Sequence, residues 1–583
     1  MARENPPNNA DSLVIEPNAG VTQTRVIFMN PITPNIEPKP STQRGKGVAG
    51  GSLNAVLTGL LLAVAFGGPV LAQTINAADD GTVLKEIIIF GRHSVRAAVT
   101  DTNSLDQYSA NPYPDFVGVP TGYLTPRGQQ AAGLLGSYFH DYLLHEGLLT
   151  GDASSDLARS YFRANTIQRS YMTAAKFGAG LIPGATIPVH TYPTNTPDPV
   201  FDPLLAMVAT VDPVRALTEV QGVFGAGTNL TSAYSGELSL ISKALYPPGT
   251  QPTNDATQGS VDPTTLPITL TDSAPLPPPL PPYYTGNVIN MGGLKSAVSA
   301  ADPFVMQYAD GFPTNDVGWG RLTLDALSQQ TRIGVLQINI AMRQPYLDRV
   351  QSSSAASHVL RSMNQAISGE PLDGAFGDSQ SQILVIVSSD FYVAGLAGLL
   401  DAHWLLPGYQ PDFCAPGGAL VFELRQARAT EQYLVRVFYT AQTLDQLRNL
   451  APLTLAEPPA TMQLLIPGGG NSATNLDLDF VTFSNLLNEA IGLEYVQPFA
   501  EETPPGVLDP YTAVNATNIT ASVSSHTLTI AWPTDHLGWI LQAQTNSLSV
   551  GQWLDLPGSS DVNAVNVSIN LSNPAVCYRL SRP

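Results

Sequence analysis

Residues 83–96 read VLKEIIIFGRHSVR, a strand-like run that passes directly into a cluster of basic residues. The first eight residues are mostly apolar and β-branched, which is the pattern of a strand covered on both faces of a sheet. His93 then lies between Arg92 and Arg96. Because the carboxyl ends of strands in open α/β sheets face the ligand crevice, we predict a functional site at this turn.

A second candidate for a buried strand is the run ILVIV at residues 383–387, and Asp390 follows it three residues later. The two best strand candidates thus lead into the two best chemical candidates, His93 and Asp390. Apolar residues at helical spacing mark three further segments, 128–149, 164–181 and 322–367. Strands that alternate with long helices predict an α/β domain.

The residue types at the first turn suit phosphoryl transfer. A neutral imidazole is a nucleophile, and two guanidinium groups bind the oxygens of a phosphoryl group and offset its charge. Arg-His-x-x-Arg alone is a short pattern, and its simpler interpretation is a solvated basic turn. The corresponding alternative for Asp390 is that its carboxylate caps a helix that begins near residue 391.

Further motifs follow in a fixed order along the chain. They are RHSVRAA at 92–98, GYLTPRG at 122–128, QRS at 168–170, GWG at 318–320 and PGGALVFE at 416–423. Together they resemble the histidine acid phosphatases, especially the bacterial phytase and glucose-1-phosphatase branch of that family. The resemblance covers residues 84–492.

The resemblance implies an enzyme that hydrolyses phosphate monoesters through a phosphohistidine, without a metal or another cofactor. By position, His93 would be the nucleophile and Asp390 would protonate the leaving alcohol. The positions that would bind the substrate phosphate are Arg92, Arg96, Arg169 and Ser389. Phytate, sugar phosphates and other phosphate monoesters all stay open as substrates.

The sequence departs from the family pattern at several positions. Ser94 replaces a signature glycine, and Ala98 replaces a proline. If the glycine position needs a positive φ, Ser94 would strain the loop. Ser389 stands where the family has histidine, so it can donate a hydrogen bond but adds no charge. Asn165 stands where many relatives have aspartate.

These departures keep two alternatives open. One is a catalytically impaired protein that binds phosphate esters on the same scaffold. The other is a mutase of the wider histidine phosphatase superfamily.

Composition narrows the classes of partner. The chain has 583 residues and a net charge of −20, which disfavours general binding to nucleic acid. Cys414 and Cys577 are its two cysteines, so a disulfide framework or a cysteine-rich metal site is excluded. The sequence leaves open whether these two pair, and which oligomeric state the protein adopts.

The amino-terminal 72 residues are predicted to be a leader with a signal peptide. Arg44 and Lys46 precede an apolar run at 55–66, and small residues precede a predicted cleavage after Ala72. The alternative is an uncleaved anchor, although the run is shorter than the ~20 residues that span a bilayer. We therefore expect a secreted or periplasmic protein without stable membrane insertion after signal cleavage.

The predicted organisation follows from these patterns. Residues 82–500 form the phosphatase-like α/β domain, which contains a helical subdomain and a Pro-rich exposed loop at 247–282. Residues 506–583 alternate apolar and polar residues in short runs between turn residues. They predict a small, sandwich-like, all-β module at the carboxyl terminus.

Overall fold

The computed structural model describes most of the predicted α/β domain and parts of both termini. The described residues are 12–17, 24–28, 80–192, 197–250, 252, 261–272, 288–470, 475–497, 503–506, 519–524, 527–532, 539–544, 553–556, 559, 564–568 and 576–581. The chain divides into a large unit, Ala72–Asn515, and a small unit, which consists of Met1–Leu71 and Ala516–Pro583.

The strands of the large unit, in chain order, are β3 (Thr82–Arg92), β4 (Ser160–Ala164), β5 (Val189–Thr191), β6 (Ile268–Asp272), β7 (Ile289–Gly292), β8 (Ile383–Ser388), β9 (Ala419–Ala427), β10 (Tyr433–Ala441), β11 (Ala460–Gln463), β12 (Leu478–Asp479) and β13 (Thr503–Gly506). Those of the small unit are β1 (Ser12–Pro17), β2 (Thr24–Phe28), β14 (Thr520–Ser524), β15 (Thr527–Ala531), β16 (Ile540–Gln544), β17 (Leu554–Asp555), β18 (Ala564–Ser568) and β19 (Val576–Ser581).

The described α-helices all belong to the large unit. They are α1 (Thr102–Leu105), α2 (Pro126–His145), α3 (Ala153–Ala158), α4 (Gln168–Leu181), α5 (Pro213–Phe224), α6 (Gly227–Ala233), α7 (Ser235–Leu245), α8 (Gly293–Ala309), α9 (Leu324–Gln330), α10 (Arg332–Ala341), α11 (Pro345–Ser368), α12 (Asp390–Gly398), α13 (Leu444–Asn449) and α14 (Phe480–Ala490). Short 3-10 turns lie at Asp106–Tyr108, Val317–Gly320 and Leu493–Tyr495.

One large mixed sheet organises the large unit. Its described strands run in the order β11-β10-β9-β3-β8-β4-β5-β13, and β12 pairs with β10. The central strands β3, β8, β4 and β5 are parallel, and β9, β10, β11 and β13 add antiparallel edges. The α/β fold expected from the sequence is confirmed.

The strands that the sequence predicted are neighbours at the centre of this sheet. β3 pairs in parallel with β8, with Phe90 opposite Ile386 and Arg92 opposite Ser388. Both strands therefore end at the same edge of the sheet. His93 and Asp390 follow these ends, so the register brings the two chemical candidates into one region.

Both faces of the central strands are buried. Ile88 and Phe90 belong to one apolar cluster, which includes residues of α8, α10, α11 and α12. Ile87 and Ile89 belong to the other, which includes residues of α2 and α4. The alternation of side chains along a strand explains this division, and coverage on both faces explains why β3 reads as a nearly continuous apolar run.

Small residues let α2 and α4 pack closely. A Cβ atom added to Gly136 would collide with the Phe177 carbonyl, and one added to Gly180 would collide with the Gly133 carbonyl. This close approach of two backbones requires glycine. It fixes α4, and with it Arg169, against the sheet.

The predicted exposed loop at 247–282 needs a correction. Its residues 268–272 form β6, which pairs with β7, and Ile268 and Leu270 are buried. The alternation of apolar and polar residues in this short run is a strand signal that the surrounding prolines and threonines obscured. The proline-rich residues 273–287 lie outside the described residues.

The small unit contains the antiparallel strands expected near the carboxyl terminus. Its described strands form one sheet in the order β17-β16-β19-β1-β2 and another in the order β14-β15-β18. Apolar residues of both sheets form a common cluster that includes Leu528, Trp532, Trp539, Leu541 and Tyr578. Two sheets that share a core are consistent with the predicted sandwich.

Near the predicted domain boundaries, the structure has strands that the sequence did not predict. Residues 503–506, at the predicted start of the carboxyl-terminal module, form β13 and pair with β5 of the large sheet. Two parts of the predicted leader form β1 and β2, and β1 pairs with β19. The predicted signal segment and Ala72 lie outside the described residues, and the domain boundaries stay predictions.

No described helix has both the length and the apolar character needed to cross a membrane.

Candidate active site

A cavity of about 350 Å³ lies where β3 and β8 end. Its base is formed by the turn after β3 and by the start of α12, and residues of α8 and α10 form its walls. All the site residues proposed from the sequence line this cavity: Arg92, His93, Arg96, Arg169, Ser389 and Asp390. The fold therefore brings together residues from three separate parts of the chain.

The turn after β3 holds His93 by its backbone and by its ring. The His93 amide donates to the Ser388 carbonyl at 2.9 Å, and the His93 carbonyl accepts from the Gly417 amide at 2.9 Å. The ring Nδ1 lies 2.9 Å from the Ser94 carbonyl oxygen. Since a carbonyl only accepts, Nδ1 carries the hydrogen and the lone pair lies on Nε2.

The surroundings of His93 keep its imidazole neutral. Burial lowers the pKa of His93 well below its usual value, and the positive charges of Arg169, Arg92 and Arg96 lower it further. The bond to the Ser94 carbonyl opposes this effect but does not reverse it. A neutral ring with its lone pair on Nε2 is the form of histidine that can attack phosphorus.

Ion pairs hold two of the three arginines. Arg96 makes two hydrogen bonds of 2.9 Å to the carboxylate of Asp302. Arg92 donates from Nη1 to the Cys414 carbonyl, and its Nη2 lies 3.0 Å from the Asp390 carboxylate. These contacts engage the outer nitrogens of both guanidinium groups and fix their orientation.

Arg169 approaches from α4 and donates to the Gly122 carbonyl at 3.2 Å. Burial lowers the pKa of Arg169 to about 10, and the neighbouring Arg96 contributes to this shift. The guanidinium therefore stays protonated at neutral and acidic pH. It does not pair with a neighbour on its helix surface, so its position suits a ligand contact.

Several buried donors in the cavity lack a partner. The Nε atoms of Arg92, Arg96 and Arg169 and the Oγ of Ser389 are all buried, and none of them has a hydrogen-bond partner in the part of the chain that the structure describes. Leaving a buried polar donor unpaired costs about 1–3 kcal/mol, more for a charged group. A bound oxyanion would supply acceptors to these donors at once.

The start of α12 places Ser389 and Asp390. Ser389 is the residue before the helix, and its side chain makes no capping hydrogen bond. Asp390 is the first helical residue, and its carboxylate accepts a hydrogen bond from the Phe391 amide at 3.1 Å, so the contact with the helix start that the alternative interpretation expected is present. The same carboxylate also pairs with Arg92, at the base of the cavity.

The turn accommodates the substitutions seen in the sequence. Ser94 is buried and is not among the described non-glycine residues with positive φ, so the strain considered for this position does not arise. Its amide donates to Thr173 Oγ1 at 3.0 Å. Asn165 is buried, and its side chain accepts from the Ile167 amide, which is a local turn contact.

Sequence reasoning missed Asp302. It lies in α8, whose local pattern gives no sign of a site, and only the fold brings it to Arg96. Burial opposes the ionisation of Asp302, but Arg96 more than offsets this and holds the pKa of that carboxyl below its usual value. Within the described chain, no group of three or more His, Cys, Asp or Glu side chains is placed to hold a metal ion.

The chain is similar to known phosphatases over most of its described length. It is 29% identical over 432 residues to the phytase AppA of Escherichia coli, an alignment that covers 72% of this chain and 95% of that protein. It is 26% identical over 416 residues to a glucose-1-phosphatase of Providencia rettgeri, covering 70% and 92%. No protein-family model matches the chain.

A solved structure shows the same fold. Hafnia alvei phytase, in complex with tartrate, superposes with a TM-score of 0.63 at 28% identity, covering 72% of this chain and all of that one. The matched proteins are bacterial phytases and glucose-1-phosphatases, so the chain is similar to the histidine acid phosphatases. These relatives support phosphomonoester hydrolase activity of that type.

The neutral state of His93 predicts a specific effect of pH on the stability of the fold. In the unfolded chain, His93 has its ordinary pKa of about 6.5 and binds a proton when the pH falls below that value. In the folded protein its pKa is much lower, so the ring stays neutral there. The free energy of unfolding therefore does not depend on His93 above about pH 6.5. Below that pH it falls by about 1.4 kcal/mol per pH unit, because only the unfolded state gains the proton. His93→Asn removes this dependence.

We expect the His93→Asn variant to gain about 2 kcal/mol relative to the parent between pH 7 and pH 5. The measurement is the free energy of unfolding of the large unit in urea, in buffers without phosphate. Parallel pH dependence of the two proteins would show that His93 is protonated in the folded state.

Proposed function

We propose that this chain is an exported phosphomonoesterase that transfers the phosphoryl group of its substrate to Nε2 of His93. The observation that carries the proposal is the set of unpaired buried donors around a neutral imidazole whose Nδ1 is held by the Ser94 carbonyl. Three guanidinium groups and one hydroxyl converge on a space that an oxyanion would fill.

In the first step the lone pair on Nε2 attacks phosphorus, and the bond between phosphorus and the ester oxygen breaks. Asp390, in its protonated form, gives its proton to the departing alcohol. Arg92, Arg96 and Arg169 bind the phosphoryl oxygens and stabilise the charge of the transition state. Ser389 adds one neutral hydrogen bond from the start of α12.

In the second step water attacks the phosphohistidine. Asp390, now a carboxylate, takes a proton from that water, and the bond between phosphorus and Nε2 breaks. Inorganic phosphate leaves, and His93 returns to its neutral form. Asp390 recovers the proton that it gave to the alcohol, so the cycle is balanced without a cofactor.

The nucleophile is tested by trapping the intermediate. We expect the parent to become labelled by a 32P-phosphate ester after rapid acid-free quenching with denaturant, with the label lost on mild acid treatment. His93→Ala should show no label and a loss of turnover of at least about 10³-fold. Labelling of the folded alanine variant at the parent level would remove His93 from the mechanism.

The role of Asp390 is tested by varying the leaving group. Asp390→Asn keeps the shape of the side chain but cannot donate the acid proton. We expect it to slow an alkyl phosphate at least about 10²-fold more than a nitrophenyl phosphate, because only the alkyl alcohol needs protonation as it departs. An equal loss on both esters would contradict this assignment.

Export is the part of the proposal that rests on the leader. The apolar run at 55–66 follows two basic residues and precedes the small residues before Ala72. We expect protein recovered from the periplasm or the medium to begin at Gln73. Amino-terminal sequencing of the recovered protein checks this, and an intact leader on all of the protein would contradict it.

A further inference from the structure

The wall of the cavity contains a gap at Gly334. This residue lies inside α10 and lines the cavity, and a Cβ atom added to it would meet no atom within 4 Å. Glycine inside a helix costs about 1 kcal/mol relative to alanine. At position 334, neither a close neighbouring atom nor a positive φ requires glycine. The missing side chain therefore leaves open space beside the floor of the cavity, where we propose that phosphate binds.

The walls above the base carry little positive charge. Among the described residues that line the cavity, Lys295 is the one cation beyond the three arginines at the base. Both lining carboxylates, Asp302 and Asp390, already pair with those arginines. The arginines therefore suffice for one phosphate, and a second phosphate would meet a single lysine.

The rest of the wall has two kinds of surface. Hydroxyl and amide groups come from Thr100, Ser299, Gln330, Thr331 and Gln337. Apolar surface comes from Val298, Val305, Ile333, Ile338, Phe391 and Phe413. A sugar or polyol ring offers the same two kinds of surface. Its hydroxyl groups can hydrogen-bond to the polar side chains of the wall, and its C–H faces can pack on the apolar ones.

We propose that the cavity takes the ester of one phosphate with an uncharged, sugar-sized polyol, and that Gly334 provides the space for the polyol ring. This inference rests on the phosphatase function proposed above. Inositol polyphosphates fit poorly, because their additional phosphates would lose water against apolar walls without enough cations to replace it. Gly334 is thus a specificity-determining position on α10.

The first test compares substrates on the parent enzyme. Glucose 6-phosphate and phytate are assayed at the same pH and ionic strength, because salt screens the charges that discriminate between them. We expect kcat/KM for glucose 6-phosphate to exceed that for phytate by at least about tenfold. An equal or higher value for phytate would overturn the proposal.

The second test changes Gly334 itself. Gly334→Met and Gly334→Lys fill the gap with side chains of similar length, and only the lysine adds charge. We expect the ratio of kcat/KM for phytate to that for glucose 6-phosphate to be at least about tenfold higher in the lysine variant than in the methionine variant. Equal ratios would show that position 334 does not face the alcohol.

The space is tested with a smaller ester. Glucose 6-phosphate and glycerol 3-phosphate are both esters of a primary alcohol, so their leaving groups need the same protonation. We expect Gly334→Met to lower the ratio of kcat/KM for glucose 6-phosphate to that for glycerol 3-phosphate by at least about fivefold. An unchanged ratio would mean that the polyol ring lies elsewhere.

Gly222 provides a matched control. It lies inside the exposed helix α5, a Cβ added there meets no atom within 4 Å, and it does not line the cavity. Gly222→Met and Gly222→Lys should leave all of these ratios unchanged. If the Gly222 variants changed these kcat/KM ratios as much as the Gly334 variants do, the cause would be net charge or helix stability and not the position in the cavity. That result would overturn the proposal.

Failure of the proposed function gives a different result. If the parent releases phosphate from none of these esters, the enzyme mechanism fails. Calorimetry on the same proteins then measures the binding of glucose 6-phosphate and of phytate directly. Tighter binding of phytate to the parent would overturn the inference about the cavity, and tighter binding of glucose 6-phosphate would support it.

Discussion

The parallel pairing of β3 with β8 is the constraint on which the rest of this structure depends. Their register places Arg92 opposite Ser388, so both chains leave the sheet at the same edge. A shift of the register by one residue would exchange the two faces of β3, so that Ile88 and Phe90 would leave one apolar cluster and enter the other. The close packing of both clusters opposes this shift. The burial of two sheet faces thus fixes the position of His93 relative to the start of α12.

The site concentrates positive charge in a buried place, and this makes the unliganded cavity costly. Three guanidinium groups line one cavity, and carboxylates hold two of them in place. Their buried Nε atoms have no hydrogen-bond partner among the described residues. The same charges keep His93 neutral, so the groups that we propose to bind the phosphate also favour the reactive form of the proposed nucleophile.

The helical part of the large unit supplies the residues that we propose to select the alcohol. α8 contributes Asp302 and Lys295, and α10 contributes Gly334 and Gln337. None of these residues belongs to the motifs that surround His93 and Asp390. The proposed chemistry at the sheet edge and the proposed recognition of the alcohol therefore belong to different elements. On this proposal, substitutions on α8 or α10 change the substrate while the base of the cavity stays the same.

The sequence by itself determined strands β3 and β8, the helices α2, α4, α9, α10 and α11, the resemblance to the histidine acid phosphatases and the six proposed cavity residues, because apolar periodicity and short motifs are local properties of a chain. It missed strand β6 inside a Pro- and Thr-rich stretch, and it left open whether Ser94 strains its turn. Only the tertiary structure decided that Asp302 holds Arg96, that Asp390 pairs with Arg92 and that Gly334 opens the cavity. These facts are contacts between residues far apart in sequence, and packing against the sheet alone brings such residues together.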